Sequence, residues 1–173
     1  LARWGLDYEE QKKLRPDIIY VSLSGFGHSG RDQDRTTWGP TAQALSGLTF
    51  MSGLPGRTPA GWGYSFLDHT AGYYGAMAIL MALHHRHNTG QGQSVDISQV
   101  ETGIVMTGPT LLDYTANGRP YRRHGNPPGN RSTHPSVAPH GVYRCMGDDR
   151  WCAISVFTDE EWSGLCTVFG DAE

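Results

Sequence analysis

The sequence predicts an α/β fold that is rich in loops, and three observations support this. Glycine (23 residues) and proline (10 residues) make up almost a fifth of the 173 residues, without the regular period of collagen. The β-branched and aromatic run Ile18–Ser22 has the composition of a buried strand. The segment from Asp68 to Gly90 has the length and the apolar, Gly/Ala-rich composition of a buried helix.

The predicted first strand is flanked by a helix and a glycine-rich turn. Asp7–Leu14 is a short polar segment that predicts a helix, and Pro16 ends it. After the strand comes the turn, which consists of Ser24, Gly25, Phe26 and Gly27. Ligands of α/β proteins usually bind at the carboxyl ends of strands, so these four residues are candidates for a binding site.

The middle of the chain predicts two helices separated by a loop. Pro40 begins a helix that runs to about Met51, and the Gly/Pro-rich stretch Gly53–Gly63 forms the loop. In the second, longer helix Asp68 is the expected N-cap and Gly90 the closing residue. Because this helix is apolar nearly all round, we expect it to have neighbours on most sides.

The second half of the chain predicts a strand, a helix, a loop, a β pair and a final helix. The strand is Ser94–Ile97, and the helix Gln99–Tyr114 is expected to be irregular at Gly108-Pro109. The proline-rich segment 117–139 is a linker or loop. The last elements are listed in chain order: strands Val142–Arg144 and Trp151–Val156 around the turn 147–149, then a helix opened by a Thr158–Glu161 capping box.

Charge and cysteine content exclude several classes of protein. The net charge is -3 and there is no basic arm, which argues against nucleic acid as a partner. Three cysteines without a CxxC pair fit a reduced, cytoplasmic protein. No apolar run is long enough to span a membrane. The chain begins at Leu1 without a signal peptide, and we expect it to be part of a longer protein.

Asp68 is the first candidate for catalysis. A carboxylate at a helix N-terminus is stabilised by free N–H groups and by the helix dipole. The same donors can stabilise an oxyanion that forms on or near the carboxylate. The alternative from the residues alone is a plain N-cap.

Other polar clusters have simpler explanations. His84, His85 and His87 fall in the last turn of the long helix, where cationic groups favour the helix dipole, so we expect no metal site. A set of arginines could meet the phosphates of a nucleotide-bearing ligand, or it is a solvated linker; the set is Arg119, Arg122, Arg123 and Arg131. Neither a GxSxG elbow nor a GxGxxG fingerprint occurs.

Four segments in this order resemble the family III CoA-transferases, which include formyl-CoA and carnitine CoA-transferases and α-methylacyl-CoA racemases. The segments are RPDIIYVSLSGFG, GPTAQALSGL, DHTAGYYGAMAILMALHHRHNTGQGQSVDISQVE and APHGVYRCMGDDRW. The resemblance runs from about Arg15 to Gly170 and is strongest from Pro16 to Glu101.

The resemblance implies a fold and a set of site residues. Residues 1–116 would form part of a Rossmann-like large domain, 117–139 a linker and 140–173 the start of a small α+β domain. Two chains would interlock as a homodimer. Asp68 would be the nucleophile, and the turn of Ser24, Gly25, Phe26 and Gly27 would lie beside the CoA thioester.

The implied activity is transfer of CoA from an acyl-CoA to an acceptor carboxylic acid through an aspartyl-CoA thioester. No metal, and no cofactor other than CoA itself as substrate, is expected. A racemase of the same family is one alternative, although Thr36–Pro40 stands where such racemases carry a histidine. The other alternative is a non-catalytic CoA-binding module.

Overall fold

The computed structural model describes residues 1–124, 126–132 and 135–170. They form two compact units. The first comprises Leu1–Gly53 and Thr58–Tyr121, and the second comprises Leu54–Arg57 and the described residues from Arg122 onward. Helices and strands alternate in the first unit, so the predicted α/β class is confirmed. The division after Tyr121 falls within the predicted linker 117–139.

A two-stranded parallel sheet lies in the first unit. Strand β1 (Ile19–Ser24) pairs with β2 (Gln93–Ser98), and both are slightly longer than predicted. The Cα of Gly92 lies against the main chain of Asp17 and Ile18, so a side chain has no room at the start of β2. Because parallel strands run in the same direction, the turn after β1 and the segment after β2 lie at the same edge of the sheet.

The long crossover between these strands contains the longest helix, α4 (Phe66–Thr89), which packs on both strands. Gly90 ends it in the left-handed conformation, as predicted. The prediction that Asp68 is the N-cap is wrong. Ser65 has the non-helical backbone of the N-cap, and the main-chain N–H of Asp68 donates to Ser65 O at 3.1 Å, so Asp68 lies inside the first turn.

The single helix predicted from Pro40 to Met51 is two helices, α2 (Gly39–Leu45) and α3 (Leu48–Met51). Gly47, with φ at +92°, separates them, because a left-handed residue cannot continue a right-handed helix. Both helices contribute to the main core of the unit. The buried core residues are Ala42, Leu48, Leu67 and Val100.

The helix predicted over Gln99–Tyr114 is also divided, as its expected irregularity indicated. Helix α5 (Gln99–Met106) follows β2 directly, and α6 (Gly108–Asn117) begins after Thr107. The Ser98 side chain caps α5 by accepting from the N–H of Glu101 at 3.2 Å. Near the amino end, α1 (Tyr8–Leu14) is capped by Asp7.

The second unit contains an antiparallel hairpin and a helix. Strands β3 (His140–Arg144) and β4 (Trp151–Ser155) pair, and α7 (Asp159–Phe169) follows. The capping box of Thr158 and Glu161 is confirmed, since each side chain accepts from the other residue's N–H.

Helix α4 is less buried than its composition predicted. Its buried residues lie on one face, which packs on the sheet and on α5; they are Leu67, Ala71, Gly75 and Ala82. Another face is open, and its large apolar residues are Tyr73 (75% exposed), Met77 (58%), Leu80 (67%) and Met81 (69%). None of the described helices has both the length and the hydropathy needed to cross a membrane.

Candidate functional site

Asp68 lies in the first turn of α4 with an exposed side chain that one hydrogen bond fixes. The side-chain amide nitrogen Nε2 of Gln99 donates to Asp68 Oδ1 at 2.8 Å. Gln99 is only 7% exposed, so its donor comes from the protein interior. A carboxylate in this position is favoured by the positive end of the helix dipole.

The start of α5 connects Gln99 to the glycine-rich turn after β1. The main-chain N–H of Val100 donates to Gly25 O at 3.0 Å, and the hydroxyl of Ser98 donates to the same oxygen at 3.2 Å. Gln99 lies between these two residues in sequence. The glycine-rich turn and the partner of Asp68 are therefore held by one three-residue segment.

Two close glycine contacts extend this arrangement to the start of α4. The Cα of Gly25 faces Thr37 so closely that a Cβ would lie 2.7 Å from Thr37 Cγ2. A Cβ on Gly39 would lie 2.6 Å from the Cα of Ser65, the N-cap of α4. Thr37 and Gly39 belong to one short segment, which therefore contacts both the glycine-rich turn and the N-terminus of α4. The start of α5 also contacts both of these, through Val100 and Gln99.

The four turn residues that the sequence singled out have distinct positions. Ser24 Oγ donates to Gly27 O at 3.0 Å, which closes the turn. The side chain of Phe26 packs against the buried core. Gly25 has its carbonyl oxygen engaged by α5. Contacts from this turn to a ligand would therefore come mainly from the main chain.

The residue after the turn, His28, is paired with Asp96 of β2. The main-chain N–H of His28 donates to Asp96 Oδ2 at 2.7 Å, and His28 Nδ1 lies 2.9 Å from Asp96 Oδ1. Partial burial raises the pKa of Asp96, but the hydrogen bonds from His28 outweigh this and hold the pKa below its usual range. Both residues line an open cleft of about 400 Å³.

The remaining polar clusters are engaged in local contacts. His84 Nε2 lies 3.0 Å from the amide nitrogen of Asn88, one turn further along α4. Of the arginines that either meet ligand phosphates or form a solvated linker, Arg119 pairs with Asp113 at 2.6 Å and Arg131 donates to Pro128 O at 3.2 Å. Within the described residues, no group of three or more His, Cys, Asp or Glu side chains is placed to hold a metal ion.

The cysteines of the hairpin lie close together. Cys145 follows β3 and Cys152 is in β4, and all three cysteines of the chain are free thiols. A hydrogen bond with the Cys152 thiol raises the pKa of Cys145, so a smaller fraction of Cys145 is ionised to the thiolate near neutral pH. These residues belong to the second unit.

Sequence reasoning missed Gln99 and Thr37. The residues around Gln99 give no direct sign of its contact with Asp68, because a glutamine at a helix start is common. One signal for its position was available, because Gln99 directly follows β2. Since β2 is parallel to β1, the residues that follow the two strands lie at the same edge of the sheet. Thr37 gave no signal, since its role depends on a contact with Gly25 across the turn.

Comparison with known proteins gives consistent results. The family model described as CoA-transferase family III matches residues 1–173. A succinyl-CoA–D-citramalate CoA-transferase of Chloroflexus aurantiacus is 33% identical over the whole chain, and a succinate–glutarate CoA-transferase of Agrobacterium fabrum is 31% identical over 98% of it. The crystal structure of a CAIB/BAIF family protein from Brucella suis superposes over the whole chain with a TM-score of 0.81 and 32% identity.

The chain is shorter than these proteins. It spans 41% and 40% of the two relatives and 44% of the Brucella protein. This chain therefore corresponds to less than half of the length of each of these proteins.

Proposed function

Because this chain belongs to CoA-transferase family III, we propose that the full-length protein transfers CoA from an acyl-CoA thioester to an acceptor carboxylic acid, with Asp68 as the covalent carboxylate. The names of two relatives, which transfer CoA between succinyl-CoA or succinate and other acids, support a carboxylic acid as acceptor.

The observation that carries the proposal is the position of Asp68. Its carboxylate is exposed, so a substrate can reach it, yet a buried amide fixes one of its oxygens. The first turn of α4 and the turn that contains Gly25 are held to the same segments of chain. A nucleophile that is accessible and also oriented gains the rate advantage of correct geometry.

The proposed reaction proceeds through covalent intermediates on Asp68. An Asp68 oxygen attacks the acyl-CoA carbonyl, the C–S bond breaks, and CoA leaves as the thiolate. This gives a mixed anhydride. The thiolate then attacks Cγ of Asp68, the donor acid leaves as its carboxylate, and an aspartyl-CoA thioester remains. The acceptor carboxylate attacks this thioester, and the first steps run in reverse to give the new acyl-CoA.

A racemase is less well supported by the surroundings of Asp68. Proton removal next to a thioester carbonyl needs a base close to the substrate. His69 follows Asp68 in sequence, but its Nδ1 lies 2.9 Å from Ser65 O, within its own helix turn. At Thr36–Pro40, where the racemases of the family carry a histidine, Thr37 instead packs against Gly25.

The test is chemical trapping of the intermediate on the full-length protein. The protein is incubated with an acyl-CoA and then with hydroxylamine, and peptide mass spectrometry locates the modified residue. We expect a hydroxamate at Asp68, and loss of transfer in Asp68→Asn with the fold retained. Asp159→Asn, the same change at an exposed first-turn carboxylate of α7, is the matched control and should keep full activity.

Transfer at the wild-type rate by Asp68→Asn, or modification only at another residue, would overturn the proposal. A protein that binds CoA but never exchanges it would instead be a non-catalytic CoA-binding module.

We also propose that the full-length protein is a homodimer. The open face of α4 presents several large apolar side chains, and such a face is normally covered in a working protein. The family resemblance implies that a partner chain takes part in covering the large domain. Sedimentation velocity of the full-length protein is the test, and an active monomer at micromolar concentration would contradict the proposal.

A further inference from the structure

We infer that Gln99 is the oxyanion donor for the two steps in which Cγ of Asp68 is attacked. This inference rests on the proposed function. It assigns to Gln99 a role in the chemistry itself, beyond orienting the carboxylate in the resting protein.

The geometry distinguishes the two oxygens of Asp68. Gln99 Nε2 donates to Oδ1 at 2.8 Å, whereas Oδ2 has no hydrogen-bond donor among the described residues. The oxygen with fewer hydrogen bonds is the better nucleophile, because less solvation is lost when it attacks. Oδ2 is therefore the atom that forms the bond to the acyl carbon, and Oδ1 becomes the carbonyl oxygen of the anhydride.

The charge in the following step develops on the oxygen that Gln99 already contacts. When the CoA thiolate attacks Cγ, the C=O π electrons move to Oδ1 and a tetrahedral oxyanion forms. Collapse of this intermediate breaks the Cγ–Oδ2 bond, and the donor acid leaves with Oδ2 and both bonding electrons. When the acceptor carboxylate later attacks the aspartyl-CoA thioester, negative charge again develops on Oδ1, and the C–S bond breaks to release thiolate.

The amide of Gln99 is preorganised for this task. The residue is buried and forms the first position of α5. Its main-chain carbonyl oxygen accepts from the Thr102 hydroxyl at 2.7 Å. The neighbouring Val100 is held to Gly25. A donor that is already in place stabilises an oxyanion without reorganisation, which is the source of the large effect of oxyanion holes.

The four chemical steps differ in the atom on which the oxyanion forms. In the first and last steps the oxyanion is the carbonyl oxygen of the acyl group, and Gln99 does not donate to that oxygen because it donates to Oδ1. In the second and third steps it lies on Oδ1 itself. Removing the donor should therefore slow the middle steps selectively, and the acyl anhydride on Asp68 should accumulate relative to the aspartyl-CoA thioester.

The experiment is rapid acid quenching of the full-length protein with an acyl-CoA, followed by intact-protein mass spectrometry. An anhydride adds the mass of the acyl group, and the thioester adds that of CoA. For Gln99→Met, which keeps the length of the side chain without its donor, we expect kcat to fall about 100-fold or more with KM changed by less than about threefold. The ratio of anhydride to thioester should rise by about tenfold or more, because loss of the Gln99 amide slows only the second and third steps, in which Cγ of Asp68 is attacked.

Two further variants make the result decisive. Gln43→Met changes another buried glutamine of the same unit, whose amide nitrogen has no hydrogen-bond partner among the described residues, and should leave the ratio of the two adducts unchanged. Gln99→Leu also removes the donor and keeps an apolar side chain of similar volume, so it should reproduce the effect if Gln99→Met fails to fold.

Each outcome bears on one of the two proposals. Wild-type adducts on Asp68 together with an unchanged adduct ratio in the Gln99 variants would overturn the role of Gln99 alone. A parallel fall of both adducts would also overturn it, because that result indicates a structural role. Absence of any Asp68 adduct in the wild-type protein would overturn the proposed function and this inference together.

Discussion

His28 holds Asp96 through two hydrogen bonds, one from its main-chain N–H at 2.7 Å and one through Nδ1 at 2.9 Å. The two residues are 68 positions apart in sequence, and the pair fastens the end of the glycine-rich turn to β2. Gly27 adopts φ +78° just before this contact, and a Cβ there would lie 3.2 Å from Asp96 Oδ2. The turn is therefore anchored on both sides, by Asp96 at His28 and by α5 at Gly25.

The first prediction concerns the pH dependence of stability. The pKa of Asp96 is lower in the folded protein than in the unfolded chain, so the ionised carboxylate stabilises the fold above the usual aspartate range. This contribution should be lost as the pH falls from about 5 through that range and below it. Both side chains are partly exposed, which keeps the effect modest.

Urea unfolding of wild-type protein and Asp96→Asn as a function of pH measures this contribution. The variant should be less stable at pH 7, and the difference should shrink as the pH is lowered. A constant difference across the whole range would show that the charge of Asp96 is not involved.

The second prediction tests why residue 25 is a glycine. The family resemblance implies that the turn containing Gly25 lies beside the CoA thioester, whereas the Cα of Gly25 faces the side chain of Thr37. Gly25→Val should collide with Thr37, displace the turn and lower transfer activity by about tenfold or more, equivalent to about 1.4 kcal/mol. The double variant Gly25→Ala with Thr37→Gly should recover most of the activity that Gly25→Ala loses.

Steady-state kinetics of these variants decides between the two explanations. If adding Thr37→Gly to Gly25→Ala restores no transfer activity, the space next to Gly25 is needed for the substrate and not for the side chain of Thr37.

The third prediction uses two glycines inside helices. A Cβ at Gly103 in α5 would lie 2.6 Å from Ser46 Cβ and 2.9 Å from Leu67 Cδ1, so Gly103→Ala should destabilise the protein by about 1–3 kcal/mol. A Cβ at Gly164 in α7 meets nothing within 4 Å. Gly164→Ala should therefore stabilise by about 0.5–1 kcal/mol, the usual gain in a helix interior. Equal effects in denaturant unfolding would contradict the packing at Gly103.

Local signals in the sequence predicted the elements well. The strand composition at Ile18–Ser22, the closing Gly90 and the capping box at Thr158 are properties of neighbouring residues, and each was confirmed. The division of one predicted helix at Gly47 was missed, because a glycine inside an apolar helical pattern is often tolerated.

The site was predicted less completely because it depends on contacts between distant segments. Asp68 was singled out, but its place in the first turn instead of at the N-cap follows from the backbone of Ser65. The contact with Gln99 spans 31 positions, and it arises because β1 and β2 are parallel and α5 starts at their common edge. No local pattern in the sequence carries that information.

The last prediction concerns Gln43 in α2, the control residue used above. Gln43 is 1% exposed, and its amide nitrogen has neither exposed surface nor a hydrogen-bond partner among the described residues. A buried donor without an acceptor costs about 1–3 kcal/mol, since its hydrogen bond to water in the unfolded chain is not replaced. Methionine has a similar volume and no donor, so Gln43→Met should leave the free energy of unfolding unchanged or raise it by about 1 kcal/mol.

Urea denaturation of the full-length protein measures this, and Gln43→Ala is the reference because it removes the packing as well and should destabilise by about 2–4 kcal/mol. Destabilisation of more than about 1 kcal/mol by Gln43→Met would show that the amide donates a hydrogen bond in the folded protein, for example to an enclosed water molecule.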